Sequence, residues 1–131
     1  MEGCSIMNNS AASSVGFGGA IFLTGVGSSL RVLDSMFGGN TAGAGAVVVS
    51  FLLGTPGGAI VFSNCSFVRN IADNTGGVFW GSHSVSMSDS LFVGNEAING
   101  EVGVIYAVSP QNNPYWFGNN LPLQDVCLFV C

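Results

Sequence analysis

Charge is scarce in this chain. Only 7% of its 131 residues are charged and lysine is absent, so Arg31 and Arg69 are its only basic side chains. An ordinary domain carries charge on about a quarter of its residues. With a formal net charge of -5, the chain does not have the cluster of basic residues that nucleic-acid binding requires. It also has no polybasic patch that would bind an anionic membrane surface. We therefore expect no nucleic-acid partner, and we expect other protein chains or glycans to cover part of this surface.

The usual side chains of catalysis and metal binding are also scarce. His83 is the only histidine, and the four cysteines form no CxxC pair. His83 lies in a polar segment, residues 81–84, which favours a solvated loop over a catalytic base. Serine is abundant and nothing marks one as a nucleophile, so no Ser-His-Asp triad can be assembled. We expect no metal, no cofactor and no enzymatic activity.

Good helix formers are few, which argues against helical repeats. What is present is an internal repeat, in which a small or polar residue leads into an apolar residue, two variable positions and an asparagine. The four units cover residues 4–9, 35–40, 65–70 and 90–95. Glycine-rich segments follow them at residues 18–21, 45–47, 76–79 and 103–105. A period of 25 to 31 residues built from short strands predicts an all-β fold, a single-stranded parallel β-helix of about four to five coils.

Each position of the repeat has a structural task in that fold. The apolar residue should point inward and stack on its equivalent one coil away. This core stack comprises Ile6, Phe37, Phe67 and Phe92. The asparagine should occupy a corner, where Asn tolerates left-handed backbone and its amide can bond the same amide of the next coil. This structural ladder comprises Asn9, Asn40, Asn70 and Asn95.

Two further positions recur around the units. Asp34, Asn64 and Asp89 directly precede the Ser or Cys of their units, as Gly3 does in the first unit. This is typical of a turn residue that hydrogen-bonds its own backbone. The glycines before residues 20, 46, 78 and 104 predict sharp bends where neighbouring backbones approach closely.

The motifs Gly-Gly-Ala-Ile and Phe-x-x-Asn resemble the repeats of chlamydial polymorphic outer-membrane proteins, which recur in surface proteins of algae and other protists. The first motif is matched at residues 18–21 and 57–60, and the second at 37–40, 67–70 and 92–95. The resemblance covers residues 4–108, with Ile6 in place of Phe in the first unit and the match at 57–60 at the end of its repeat. It implies a right-handed β-helical region that serves adhesion or forms a structural stalk at a surface. It implies no catalytic residues.

The predicted organisation has two parts. The β-helix repeats cover residues 1–109, and residues 110–131 form a C-terminal loop and a capping or continuing strand. A short stack of coils exposes strand edges at both ends, which need caps. We therefore expect the sequence to be a fragment of a longer chain that continues beyond it.

The even number of cysteines is compatible with an oxidising compartment, and their pairing stays open. Cys4 and Cys65 share one repeat position, but the unit that contains Ser35 should lie between them, beyond disulfide reach. Buried thiols are the alternative for this pair. Cys127 and Cys131 cannot pair within one extended strand, although a turn between them would change that.

The uncharged run over residues 42–62 is long enough to suggest a transmembrane helix. It is interrupted by glycines and a proline, and it divides into a β-branched strand, a Gly-Thr-Pro-Gly turn and a second strand. We expect no membrane span.

These observations favour a non-catalytic structural or adhesive segment of an extracellular or cell-surface protein, a rigid scaffold in a larger assembly. Loops at residues 10–17 and 108–125 are expected to face neighbours. Two sequons mark Asn8 and Asn64 as candidate N-glycosylation sites.

The alternative is a carbohydrate-binding or pectin-lyase-like carbohydrate-active β-helix. Such an enzyme would use clustered carboxylates, and the candidates are Asp34, Asp73, Asp89, Glu96 and Glu101. Asp34 and Asp89 instead occupy the repeated turn position. Flat faces for saccharide stacking are offered by Trp80, Tyr106, Tyr115 and Trp116. Convergence of acidic and aromatic side chains in one groove would favour this alternative.

Overall fold

The computed structural model describes residues 1–11, 16–51, 58–82, 84–99, 104–108, 114–117 and 126–128. Within these ranges every regular element is a β-strand. The strands are β1 Ser5–Met7, β2 Ile21–Thr24, β3 Leu30–Leu33, β4 Met36–Gly38, β5 Thr41–Ala44, β6 Val48–Phe51, β7 Ala59–Ser63, β8 Ser66–Val68, β9 Ile71–Thr75, β10 Phe79–Gly81, β11 Ser84–Ser88, β12 Leu91–Val93, β13 Glu96–Ala97, β14 Ile105–Val108, β15 Pro114–Phe117 and β16 Val126–Leu128. The predicted all-β class is confirmed.

Strands one coil apart pair in parallel and build four sheets. The first sheet has the order β1-β4-β8-β12, the second β5-β9-β13, the third β2-β6-β10-β14 and the fourth β3-β7-β11. In the first coil a bridge from Ser10 to Thr41 occupies the place of a strand in the second sheet. The chain visits the four sheets in this order and then begins the next coil. This is the parallel β-solenoid that the repeat predicts.

The register of the sheets follows the repeat. Ile6, Phe37, Phe67 and Phe92 are Cα partners in the first sheet. In the third sheet the residues at the ends of the glycine-rich segments, or directly after them, are partners, in the order Ile21, Val48, Phe79 and Ile105. The spacing between units shortens from 30 to 25 residues because only residues 82–83 connect β10 to β11, where residues 52–58 connect β6 to β7.

Aromatic rings fill the interior of the coils. Phe37 stacks on Phe67 with centroids 5.2 Å apart, and Phe67 stacks on Phe92 at 4.8 Å. Both separations are close to the roughly 4.8 Å distance between paired strands, so one ring fits each coil. Phe62 of the fourth sheet meets Phe37 and Phe67 edge-on. Ile6, in the outermost coil, is partly buried and packs against this core.

Left-handed backbone recurs at the corners. Between the fourth and first sheets it occurs at the predicted turn position, with φ of 61° at Gly3, 48° at Asp34, 52° at Asn64 and 49° at Asp89. Between the first and second sheets it occurs one residue before each ladder asparagine, at Asn8, Gly39, Arg69 and Gly94. The expectation of left-handed backbone at the ladder asparagines themselves is therefore wrong. The preceding residue makes the turn, and the asparagine side chain lies between coils, buried at Asn40, Asn70 and Asn95.

The literal motif match at residues 57–60 does not occupy the structural position of residues 18–21. Ile60 lies on β7 in the fourth sheet, where its partners are Leu30 and Val85. Ile21 lies on β2 in the third sheet. The same Gly-Gly-Ala-Ile motif therefore occurs in two different sheets of the solenoid.

The C-terminal strands reverse the direction of pairing. β15 pairs antiparallel with β14, and β16 pairs antiparallel with β11. These two strands lie at the C-terminal edges of the third and fourth sheets. Residues 110–131 thus contribute edge strands that do not extend the parallel coil.

The apolar run over residues 42–62 contains parts of β5, β6 and β7. The predicted division into two strands is confirmed by β6 and β7, and the predicted turn falls within residues 52–57, outside the described ranges. Among the residues described, no helix is long and apolar enough to cross a membrane.

Candidate functional site

The ladder asparagines form a continuous hydrogen-bonded column. The Nδ2 atoms of Asn9, Asn40 and Asn70 donate to the Oδ1 atom of the next asparagine at 3.0, 2.9 and 2.8 Å. Each acceptor oxygen also receives the backbone N–H of the preceding asparagine. The second amide hydrogen reaches the carbonyl oxygen of a core-stack residue one coil earlier, for example Asn70 Nδ2 to Phe37 O at 3.1 Å. The buried amides are used by the fold, so this column offers structure rather than a binding site.

A second column contains hydroxyls and thiols. Ser35 Oγ accepts the N–H of Cys4 at 3.1 Å and donates to Leu33 O. Ser90 Oγ accepts the N–H of Cys65 at 3.2 Å and donates to Ser88 O. Ser35 lies between the two cysteines, as predicted, and both thiols are free. Cys127 lies in β16, and Cys131 falls outside the described residues.

The Cys65 thiol is held in its neutral form. Burial raises the pKa of Cys65 above its ordinary value of 9.0, and the nearby charge of Asp34 acts in the same direction. Hydrogen bonds with the backbone of Ser35 and Ser63 oppose the rise in pKa. Because the thiolate is the reactive species, this cysteine is suited to packing and not to nucleophilic chemistry.

The predicted acidic residues are dispersed. Asp34, Asn64 and Asp89 occupy the corner between the fourth and first sheets in three successive coils. Asp34 Oδ1 accepts a hydrogen bond from Asn64 Nδ2 at 2.6 Å. Asp73 lies in β9 and Glu96 in β13, both in the second sheet. Glu101 and His83 lie outside the described residues. None of these four described carboxylates lies on the third sheet, which carries Trp80.

Aromatic side chains instead gather on the outer face of the third sheet. Phe22, Val49 and Trp80 are register partners, and residues 106 and 116 hold the next two positions of this row. Phe17 and Phe51 complete the cluster. Phe17 stacks on Trp80 with centroids 5.6 Å apart, and Phe51 lies edge-on to Trp80 at 5.0 Å and 74°. Phe17 and Phe22 are 45% and 52% exposed, which is high for aromatic residues.

A pocket of about 270 Å³ lies beside this cluster, lined by Ser50, Phe51, Trp80, Gly81 and Ser82. Two aromatic rings provide its walls, and its accessible lining is almost entirely apolar. No charged residue is among the lining residues that the structure describes.

Ser50 Oγ is buried and has no hydrogen-bond partner among the described residues. It lies against Gly81, where any Cβ would collide with it. Leaving a buried hydroxyl unpaired costs about 1–3 kcal/mol, so such an atom requires an explanation.

Sequence reasoning identified Trp80 but missed Ser50, Phe51 and the exposed Phe17 and Phe22. The signal was present for Phe22, because it follows the aligned inward residue Ile21 as Trp80 follows Phe79. Aligning the glycine-rich segments therefore places the outward residues in one row. For Phe17 and Ser50, the repeat pattern carries no comparable signal.

The outer face of the first sheet is uncharged and mostly apolar. Its outward positions are Ser5, Met36, Ser66 and Leu91 in one row, and Met7, Gly38, Val68 and Val93 in the other. Met7, Met36, Leu91 and Val93 are exposed. Several exposed large apolar side chains on one sheet face are typical of an interaction site.

Both candidate glycosylation sites are exposed at left-handed corners. The amide nitrogen of Asn64 is bonded to Asp34, so glycosylation there would have to break that bond. Within the described residues no group of His, Cys, Asp and Glu side chains could hold a metal ion. No family model, no curated protein and no solved structure matches the chain.

Proposed function

We propose that this chain is a non-catalytic structural or adhesive segment of an extracellular or cell-surface protein, and that its β-solenoid serves as a rigid scaffold in a larger assembly. The observation that carries the proposal is the uncharged, mostly apolar outer face of the first sheet. It continues over four strands and carries exposed Met36 and Leu91. The resemblance to chlamydial surface-protein repeats supports the same role.

The columns of asparagines and phenylalanines support the scaffold role. Each coil is bonded to its neighbours through buried side chains as well as through its strands. Solenoid repeats gain stability from such nearest-neighbour interfaces, which favour an extended surface over a deep active-site cleft.

The proposal is tested by two charged substitutions on the first sheet. The full chain, epitope-tagged in its source cells, should be labelled on intact cells and recovered in a large complex. A Met36→Glu, Leu91→Glu variant should be released from that complex, because two carboxylates would be buried at the contact. Val26→Glu, at a residue 65% exposed in a turn, is the matched control and should remain bound. Labelling only after permeabilisation, or full retention of the double variant, would contradict the proposal.

Carbohydrate binding, the alternative, has only the aromatic side chains of the third sheet in its favour, since the accessible lining of the pocket beside them is almost entirely apolar. Its catalytic form has no comparable support, since Asp34 and Asp89 lie at a corner and neither lines the pocket.

A further inference from the structure

We propose that the outer face of the first sheet binds the same face of a second copy of this chain, in a symmetric dimer whose two stacking axes lie side by side and parallel. This pairing rests on the structural role proposed above, and it names the partner of that face. It is carried by the charges at the two borders of the face, of which one is acidic and the other basic.

The face is bordered by two corners of opposite charge. At the corner between the fourth and first sheets, Asp34, Asn64 and Asp89 follow one another in successive coils, and all three are exposed. At the corner between the first and second sheets, Arg69 is the one charged member of its column, and it is exposed as well. Within the part of the chain that the structure describes, Arg69 forms no ion pair. Its guanidinium group is therefore available to a carboxylate of another molecule.

With the strands of the two copies aligned, a symmetric face-to-face dimer can form in two ways. A twofold axis along the strands would lay the acidic corner of one copy over the acidic corner of the other, and like charges in contact are unfavourable. A twofold axis along the stacking direction lays the acidic corner of each copy over the Arg69 corner of the other. Because a twofold rotation has no translation along its axis, coils at the same level face each other.

This second arrangement places Arg69 opposite Asn64 of the second copy. Asp34 and Asp89 of that copy lie one coil to either side, each displaced by about 4.8 Å along the stack. Sheets packed face to face are about 10 Å apart, a gap that an arginine and an aspartate side chain together can bridge. The guanidinium group carries enough N–H donors for both carboxylates. The symmetry makes this contact twice in each dimer.

The centre of the face supplies apolar contact. The strands of the two copies run in opposite directions across the interface, so each outward row faces the other row of the second copy. Leu91 therefore lies opposite Val93 of the second copy. Met36 lies opposite Gly38, over which the side chain of Met7 extends. Since neither row contains a charged residue, the dimer buries no charge at its centre.

The size of the face predicts a weak dimer. Its four strands lie about 4.8 Å apart and each contributes about five residues of about 3.3 Å, which gives roughly 300 Å² on each copy. A stable complex of standard size buries about 800 Å² per partner. We therefore expect a dissociation constant of about 0.1–1 mM.

The test is sedimentation equilibrium of the full chain at concentrations up to about 1 mM, where the wild type should show a monomer–dimer equilibrium. Arg69→Glu should weaken the dimer by tenfold or more, and so should Asp34→Arg, Asp89→Arg, because each variant places like charges at both borders. An equimolar mixture of the two variants should dimerise as the wild type does, since every border again pairs opposite charges. Both variants remain net negative, so overall attraction between oppositely charged proteins does not explain such a recovery.

Arg31→Glu is the matched control. It makes the same change in net charge at an exposed residue of β3, in the fourth sheet, and should dimerise as the wild type does. Asp34→Asn, Asp89→Asn removes the acidic border without reversing it. Asparagine suits left-handed backbone, as at Asn64, so this variant should melt near the wild-type temperature while its dimer weakens by about three- to tenfold.

A wild-type chain that stays monomeric at about 1 mM would overturn the pairing, and a different chain would then be the partner of this face. A mixture of the two charge-reversed variants that associates no more tightly than its components would overturn it too. The same holds if Arg31→Glu loses as much affinity as Arg69→Glu. None of these results affects the release of the Met36→Glu, Leu91→Glu variant from its cellular complex, so failure of self-pairing and failure of the scaffold role are distinguishable.

Discussion

A buried carboxamide is tolerated only when its hydrogen-bonding atoms have partners. The Asn70 side chain finds these partners in the coils on both sides. Its Oδ1 accepts from Asn40, and its Nδ2 donates to Asn95 Oδ1 and to Phe37 O. Asn9 is exposed, and among the described residues its side chain bonds only to Asn40 Oδ1. The same residue type therefore has very different energetic weight at the two positions.

Replacing Asn70 by Ala should lower the free energy of unfolding by about 2–4 kcal/mol, because the amide of Asn40 and the oxygen of Asn95 lose buried partners. Asn9→Ala, the matched change in the outermost coil, should cost less than about 1 kcal/mol. Urea titration of both variants measures the difference. Equal losses would mean that the column carries little of the stability.

The neutral thiol of Cys65 predicts a loss of stability in alkali. The pKa of Cys65 is raised in the folded chain, so the unfolded chain loses its proton first as the pH rises. The stabilising contribution is complete below 9.0 and is lost as the pH rises through the folded-state pKa. Unfolding titrations at pH 8 and pH 10 should therefore show a steeper decline for the wild type than for Cys65→Ser. Serine already occupies this column at positions 35 and 90, and parallel declines would disprove the effect.

At the scale of strands and turns, the sequence must allow the backbone to turn at each corner of the coil. Gly76 precedes β10 with a φ of 65°, and a Cβ there would collide with the carbonyl group of Phe79. Gly27 has a similar φ of 72° but faces open space. Substituting each glycine therefore distinguishes two effects: at Gly27 only the left-handed backbone is strained, and at Gly76 a steric collision is added.

Gly76→Ala should destabilise the chain by about 3 kcal/mol or more, since it adds overpacking to left-handed strain. Gly27→Ala should cost about 1 kcal/mol, the strain alone. Thermal unfolding of the two variants provides the comparison. A Gly27→Ala loss as large as that of Gly76→Ala would show that the collision is relieved by movement of the turn.

Much of this arrangement was predictable from the repeat. The alternation of Phe and Asn predicts the first sheet, and the glycine-rich segments predict the third, because both recur at fixed offsets. Three of the four left-handed residues before the ladder asparagines, Asn8, Gly39 and Gly94, are types that favour this backbone, and Arg69 is the one without such a signal. The aromatic pocket was missed because its residues come from two coils and only Trp80 was considered.

Strand pairing is parallel between successive coils and becomes antiparallel at the last two strands. β15 and β16 pair antiparallel with β14 and β11 and occupy edges that would otherwise present unpaired backbone groups. Such edges are prone to pair with other chains. The two strands should therefore limit self-association at this end.

A variant that lacks residues 110–131 should form concentration-dependent oligomers, because the edges of β14 and β11 become available. Light scattering coupled to size exclusion measures this, with the full chain as reference. The outermost coil at the other end is the same in both proteins. A truncated chain that remains monomeric across a hundredfold concentration range would argue against capping.

The asparagine column has one more consequence, because its amides all point the same way. In every step one N–H of the amide donates to the later coil, and the oxygen accepts from the earlier one. Peptide-like amides carry dipoles of about 3.5 D, and aligned hydrogen bonds polarise one another. The dipoles of the column therefore add along the stacking axis instead of cancelling. The two ends of the column differ in electrostatic potential, with the negative pole at Asn9, which gives a partner a physical basis for distinguishing one end from the other.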